Sequence, residues 1–298
     1  MEIAVGSELG QWQSRSRDAC CSEALASDVA LLAVADGFGT LGRNHVADVA
    51  VSLLRDYLRR KVRFGAVGAR NASPLALRRL MLAAFAHANS RLFAQSGSHD
   101  DYVASGASLT AALVVGSQVY VGHVGQSRAY LVRDDRIQAL TEDDAIAAEV
   151  SGGGKTTIGA GARVHSLLTR TLGTQSSLEA TVTHFDLGET DRLVLCTDGI
   201  HKNLSAEELE FAASTPGSAA DVVDRLLSLL KMRCGPNQDG GTVIVGRELT
   251  IPVALGGEVA SARRHVSGAI GVTMLMVALI VLAVLLFEAV FPAHIALR

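Results

Sequence analysis

The chain has 298 residues, 49% hydrophobic and 19% charged, enough for one large domain or two small ones around a packed core, and this excludes a disordered protein. A formal net charge of -3 gives no electrostatic basis for nucleic-acid binding, which needs a clustered basic face; Arg59-Arg60-Lys61 reads instead as the solvated side of a helix. Cys20, Cys21, Cys196 and Cys234 lack the paired spacing of a zinc site and read as reduced thiols, with Cys196 as core filling.

In chain order, the apolar run Val29 to Ala35 predicts a buried strand stopped by Asp36-Gly37. Val46, Val49, Leu53, Leu54, Tyr57 and Leu58 recur at helical spacing and predict a helix over about 46–61. Ser73 fits an N-cap and Pro74 a first helical position, so a second helix is expected to run to Phe93. Short β-like runs follow at 108–115, 119–124, 128–132 and 136–140, separated by Gly116-Ser117, Gly125-Gln126-Ser127 and Asp134-Asp135. That is a meander of antiparallel strands. Further strands are expected at 181–185, 192–196 and 242–245, with a helix over about 219–232. The small-residue stretch from Ser151 to Gly161 lacks the Gly-Lys-Ser/Thr ending of a nucleotide loop and reads as a surface flap.

From Val266 to Phe287 the chain carries 22 consecutive uncharged residues, which as a helix would span about 33 Å. The expected organisation is a domain over 1–248, a linker over 249–265, a transmembrane helix over 266–287 and a short tail over 288–298. Arg263 and Arg264 flank the apolar stretch, so the positive-inside bias leaves the N-terminal domain cytoplasmic on a single-pass anchor. Met1 to Glu8 shows no basic region leading into an apolar one, so no signal peptide is expected.

Asp36, Asp198 and Asp239 each end an apolar run or neighbour a glycine, and Asp18 in Arg15-Ser-Arg-Asp-Ala19 is read with them. Such an aspartate costs several kcal/mol at about the end of a buried strand unless a cation or donor meets it. The repeated arrangement points to a shared divalent metal pair. Hard oxygen ligands suit Mn²⁺ or Mg²⁺, and two such ions can activate a water and clamp a phosphoryl oxygen together. No Ser-His-Asp or Cys-His set declares itself beside them.

Five segments now carry a resemblance: Val34-Ala-Asp-Gly-Phe-Gly39, Gly122-His-Val-Gly-Gln-Ser-Arg-Ala-Tyr130, Leu168-Thr-Arg-Thr-Leu-Gly173, Leu195-Cys-Thr-Asp-Gly199 and Asp239-Gly-Gly-Thr-Val-Ile-Val245. In their order and spacing they resemble the motifs of the metal-dependent Ser/Thr protein phosphatases, the PPM or type 2C family, in its bacterial form. The resemblance covers about residues 5–247. It implies an α+β fold of two antiparallel β-sheets sandwiched between helices (α-β-β-α), with two ions, Mn²⁺ or Mg²⁺, between the sheets at one end. Asp36 would bridge the ions and Gly37 offer its carbonyl, with Asp198 and Asp239 completing one shell and Asp18 standing for the N-terminal motif's aspartate.

The chain also departs from the family pattern. Gln13 falls where an arginine for substrate phosphate is expected, and Arg15 or Arg17 would take that role through paired guanidinium hydrogen bonds. Gln126 replaces an aspartate that helps hold a third ion, and Gly240 replaces an asparagine. Thr40 replaces a glycine, Glu142-Asp143-Asp144 replaces a motif containing Asp-His, and Phe38 offers no general acid. Two readings follow. One is a phosphatase acting on phosphorylated cytoplasmic proteins near the membrane; the other is a catalytically weak or inactive module that binds a phosphoprotein or partner there. A globular domain whose aspartates merely cap turns is a third, bland reading.

Overall fold

The computed structural model describes residues 1–9, 16–41, 44–63, 72–96, 105–146, 167–233 and 240–249. Arg15, Cys234, Asp239, the 151–161 stretch and the apolar 266–287 segment lie outside them. The chain divides into two units, Met1–His265 and Val266–Arg298, and every described residue belongs to the first. Among the described residues no helix is long and apolar enough to cross a membrane.

Strand β1 (Glu2–Glu8) comes first, then the hairpin of β2 (Asp18–Ala26) and β3 (Val29–Phe38) and a small one of β4 (Thr40–Leu41) and β5 (Asn44–His45). Helices α1 (Val46–Arg63) and α2 (Pro74–Ser96) follow. The meander comprises β6 (Gly106–Val115), β7 (Gln118–Val124), β8 (Arg128–Arg133) and β9 (Arg136–Ala139). The short β10 (Ala145–Ile146) pairs with β11 (Leu167–Leu168). The remaining elements are β12 (Thr181–Asp186), β13 (Arg192–Cys196), α3 (Asp198–His201), α4 (Ala206–Ser214), α5 (Ala219–Arg233) and β14 (Gly241–Arg247).

Two five-stranded antiparallel sheets result, ordered β1-β14-β13-β8-β9 and β12-β7-β6-β3-β2. Strand parity shows how they stack. On β3, Leu31, Ala33 and Ala35 pack with Leu54, Leu58, Met81 and Phe85 of α1 and α2. Ala30, Leu32 and Val34 pack with Ala112, Val121, Leu131, Leu193 and Ile244 between the two sheets. On the far side, Val194, Cys196, Val243 and Val245 meet Leu209, Val222, Leu226 and Leu230 of α4 and α5. The layers are therefore α-β-β-α, as expected, and a strand covered on both faces must be apolar at every position.

Helices α1 and α4 show why they form. Buried Val46, Ala47, Ala50, Val51, Leu54, Leu58 and Val62 lie on one stripe of α1, with Asp48 in its first turn and Arg60, Lys61 and Arg63 in its last, matching the helix dipole. A capping box starts α4: Ser205 Oγ accepts from the Glu208 backbone N–H, and the Glu208 carboxylate accepts from the Ser205 N–H. Asp134 and Asp135, at φ of 51° and 56°, make the two-residue turn between β8 and β9, the left-handed pair a tight hairpin needs.

Candidate active site

The inward-facing residues of five strands change from apolar to polar at one end of the inter-sheet layer. Along β3 the sequence Ala30, Leu32, Val34 is continued on the same face by Asp36, because side chains alternate with period two. The same parity continues Ala112 into Thr110 and Ser108 on β6, Val121 into His123 on β7, Leu195 into Thr197 after β13, and Ile244 into Thr242 on β14. Asp18 stands directly opposite Asp36 across the β2–β3 ladder, and Ser108 opposite it on the other side. Facing positions of adjacent strands lie about 4.5–5.5 Å apart at Cβ, so the two carboxylates are neighbours by register. The expected stop at Asp36 is corrected here: β3 continues through Gly37 and Phe38, which pair with Ala107 and Gly106.

Asp18 is met from the opposite sheet. Thr197 Oγ1 donates to Asp18 Oδ2 at 2.7 Å and accepts from the Thr242 N–H at 2.9 Å, while the hydroxyls of Thr242 and Ser7 lie 3.0 Å apart. Thr197 and Thr242 are buried, so these bonds satisfy groups that would otherwise be orphaned. Burial pushes the Asp18 carboxyl up to about 6, with the nearby Asp198 charge adding to it; the two threonine hydroxyls and the Arg17 guanidinium pull the other way. A carboxyl held high by burial and a like charge is one that a cation would ionise.

Asp198 opens α3 and is held differently. Its Oδ2 accepts from Gln126 Nε2 at 2.8 Å and from Lys202 Nζ at 2.8 Å, and Lys202 Nζ also donates to Gln126 Oε1 at 2.6 Å. Gln126 is fixed in turn. Its N–H donates to Ser108 Oγ at 3.2 Å, and its carbonyl oxygen lies 2.7 Å from His201 Nε2. The preceding Gly125, at φ 100°, donates its N–H to Asp144 Oδ2 at 2.9 Å, and a Cβ there would lie 2.3 Å from Ser108 Oγ. Asp143 binds Arg128 through two bonds of 2.7 and 2.9 Å, which keeps its carboxyl below the ordinary range despite burial. Asp144 thus holds the Gly125-Gln126 turn, and Asp143 is paired with Arg128 just after it.

The two Asp-Gly pairs have a packing cause. A Cβ on Gly199 would lie 1.8 Å from the Gly240 carbonyl oxygen, and one on Gly37 would lie 2.8 Å from the Ala47 backbone nitrogen at the start of α1. Neither site admits a larger residue.

Of the site residues expected from sequence, Asp18, Asp36, Gly37 and Asp198 come together at the end of the inter-sheet layer. Arg17 is exposed beside them, its carbonyl oxygen accepting from the Gly37 N–H at 3.3 Å. Asp239 and Arg15 lie outside the described residues. Among the described residues no group of three His, Cys, Asp or Glu side chains is arranged to hold an ion. The donor chemistry nonetheless suits a hard dication: the Asp18 carboxyl raised chiefly by burial with the Asp198 charge adding to it, hydroxyls aimed at it, and the carbonyl of a glycine that α1 forbids to change. Thr197, Thr242, Ser108 and Lys202 were missed by sequence reading. The alternation on β6 and β14 carries a signal for Ser108 and Thr242, and the one-turn spacing from Asp198 carries one for Lys202.

Fold and site together define a four-layer α-β-β-α protein with a hydroxyl-lined acidic site between its sheets. The protein phosphatase 2C family model matches residues 5–232, and the chain belongs to that family. It is 34% identical over 160 residues to the serine/threonine protein phosphatase PstP of Mycobacterium tuberculosis, covering 53% of this chain and 30% of that protein. The match thus spans about a third of that relative's length. The fold is similar to the crystal structure of Mycobacterium tuberculosis PstP/Ppp, with a TM-score of 0.63 and 28% identity over 82% of this chain and 97% of that one. It is also similar to the PstP catalytic domain solved in complex with two manganese ions, with a TM-score of 0.63 and 27% identity over 82% of this chain and 96% of that one.

Proposed function

We propose that the chain hydrolyses phosphoserine and phosphothreonine on proteins with the help of two Mn²⁺ or Mg²⁺ ions. The observation that carries the reading is the facing pair Asp18 and Asp36 at the polar end of the inter-sheet layer, in a chain of the protein phosphatase 2C family. Asp36, Asp18, Asp198, Asp239 and the Gly37 carbonyl would hold the ions. Once bound, the ions would supply a water of lowered pKa and positive charge to offset that developing on the phosphoryl oxygens.

The chain's own residues orient and exclude. Thr197 and Thr242 aim the Asp18 carboxylate from across the layer. Arg17, and Arg15 with it, would receive the substrate phosphate through paired donors. The described cysteine nearest the site offers no nucleophile: Cys196 is fully buried and burial pushes its thiol up to about 12. Hydrolysis of a chromogenic phosphomonoester with Mn²⁺ by the full chain tests the reading, with Asp36→Ala and Asp198→Ala as references. Activity no greater than that of these variants removes the enzyme.

A second reading, a weak or inactive module that binds a phosphoprotein, is favoured by one observation: Asp198 Oδ2 is already occupied by an amide and an ammonium. Binding of a phosphothreonine peptide without turnover would select it. We further propose that the uncharged 266–287 segment anchors the protein in a membrane with the domain on the cytoplasmic side. Recovery of the full chain in the alkaline-washed membrane fraction, and of a chain ending at 248 in the supernatant, is the expected outcome.

A further inference from the structure

Lys202 follows Asp198 by one helical turn and closes a three-membered ring with it and Gln126. The two oxygens its ammonium touches, a carboxylate Oδ2 at 2.8 Å and an amide Oε1 at 2.6 Å, are the hard donors a divalent cation would take. The ring is built into the fold rather than formed by chance between surface chains. Gln126 is only 8% exposed, and both its backbone N–H and its carbonyl are fixed, by Ser108 and His201. The other side of the turn is fixed by Asp144 through Gly125. Only Lys202 has freedom, with its side chain 44% exposed.

We propose that Lys202 is a tethered cation that competes with divalent metal for Asp198. With Gln126 it occupies Oδ2 of that carboxylate, so that an ion would be held through Oδ1. An ammonium on one oxygen leaves the other for a metal, so the chain lowers its own metal affinity and limits how many ions gather at Asp198. An amide at position 126 suits this arrangement, because it offers the ammonium an oxygen and the aspartate a donor at the same time. An aspartate there would lose the donor and add a charge.

This inference rests on the metal-dependent reading above, and the test separates the two. Mn²⁺ binding to the full chain is followed by titration calorimetry for the wild type, Lys202→Met, the double variant Gln126→Asp with Lys202→Met, and Asp36→Asn. Lys202→Met is expected to tighten Mn²⁺ about three- to fivefold, the scale of a partly exposed ion pair. The double variant is expected to take up one more ion per chain than the wild type. Wild-type affinity in Lys202→Met together with wild-type stoichiometry in the double variant would overturn the role of Lys202. Unchanged binding in Asp36→Asn would instead overturn the metal site of the proposed function, and leaves the comparison between Lys202→Met and wild type to be read on its own. Lys202 is exposed, so the single variant is expected to melt with the wild type, and circular dichroism checks it.

Discussion

The two ends of the inter-sheet layer are made by the same strands with the same alternation, yet one end is oil and the other is acid. At one end Leu32, Val114, Val119, Leu131, Leu193 and Ile244 close against each other with no polar atom among their side chains. At the other, Asp18, Asp36, Ser108, Thr197 and Thr242 occupy positions continuous with them. The apolar end stabilises each strand by about 1.5–3 kcal/mol per fully buried large side chain, and the acidic end costs stability through burial and like charge. The first makes the second tolerable. The candidate site thus sits at the end of the layer that burial and like charge disfavour, and its geometry is inherited from the apolar end.

Changing one residue at each end breaks the comparison most sharply. Asp36→Asn is expected to lower Mn²⁺-dependent phosphomonoester hydrolysis on the order of a thousandfold, the scale of removing a charge-stabilising group, while the metal-free protein melts at or above the wild-type temperature. The melt matters as much as the rate, because it shows that the acid end opposes folding when no cation is present. Leu32→Ala, at a position with no exposure, is expected to cost about 3 kcal/mol in urea unfolding and to leave Mn²⁺ binding per folded molecule unchanged. If Leu32→Ala weakened the metal as strongly as Asp36→Asn, the two ends would not be separable.

The same contrast explains what could be read without coordinates. Strand β3 was legible because Val29 to Ala35 is apolar on both faces, which only a strand between two layers requires. Its partner β2 was not. Asp18 to Ala26 is an edge strand of mixed burial, and Asp-Ala-Cys-Cys-Ser-Glu-Ala-Leu-Ala shows no sustained alternation. Helix α4 was also missed, although Ser205 and Glu208 carry its capping box, because nine residues give too short a period. At the site, the aspartates beside glycines stood out, and Gly37 and Gly199 turn out to be demanded by backbone contact. What pattern could not show was register: that Asp18 faces Asp36, and that Thr197 reaches Asp18 from 179 residues away, depends on strand pairings that no local window contains.

Thr197→Val sharpens the comparison by making one acid-end position resemble its apolar neighbours. The hydroxyl it removes serves two buried groups at once, Asp18 Oδ2 and the Thr242 N–H. Leaving both without that partner is expected to cost about 2 kcal/mol in unfolding, although valine has nearly the same shape. The variant should also bind Mn²⁺ more weakly, because the hydroxyl that steadies the ionised Asp18 is gone.

The metal-free protein has a pH dependence of its own, which added metal offsets. Asp18 in the folded chain titrates near about 6, above the ordinary carboxyl value of 3.8, chiefly because of burial. Between these values the folded protein holds a proton that the unfolded chain has released. Its contribution to stability is therefore complete below 3.8 and lost as pH rises through about 6. In chelator, the melting temperature is expected to fall across that interval. Mn²⁺ must displace the same proton, so its affinity should weaken by up to about tenfold per unit as pH drops below 6 and level off above it. Added Mn²⁺ consequently offsets the loss of stability at pH 7 and hardly alters the melt at pH 4. Thr197→Val, having lost a hydroxyl that favours the ionised form, should move the affinity midpoint to higher pH; a midpoint unmoved by that substitution would mean that Asp18 is not the carboxyl the metal competes for.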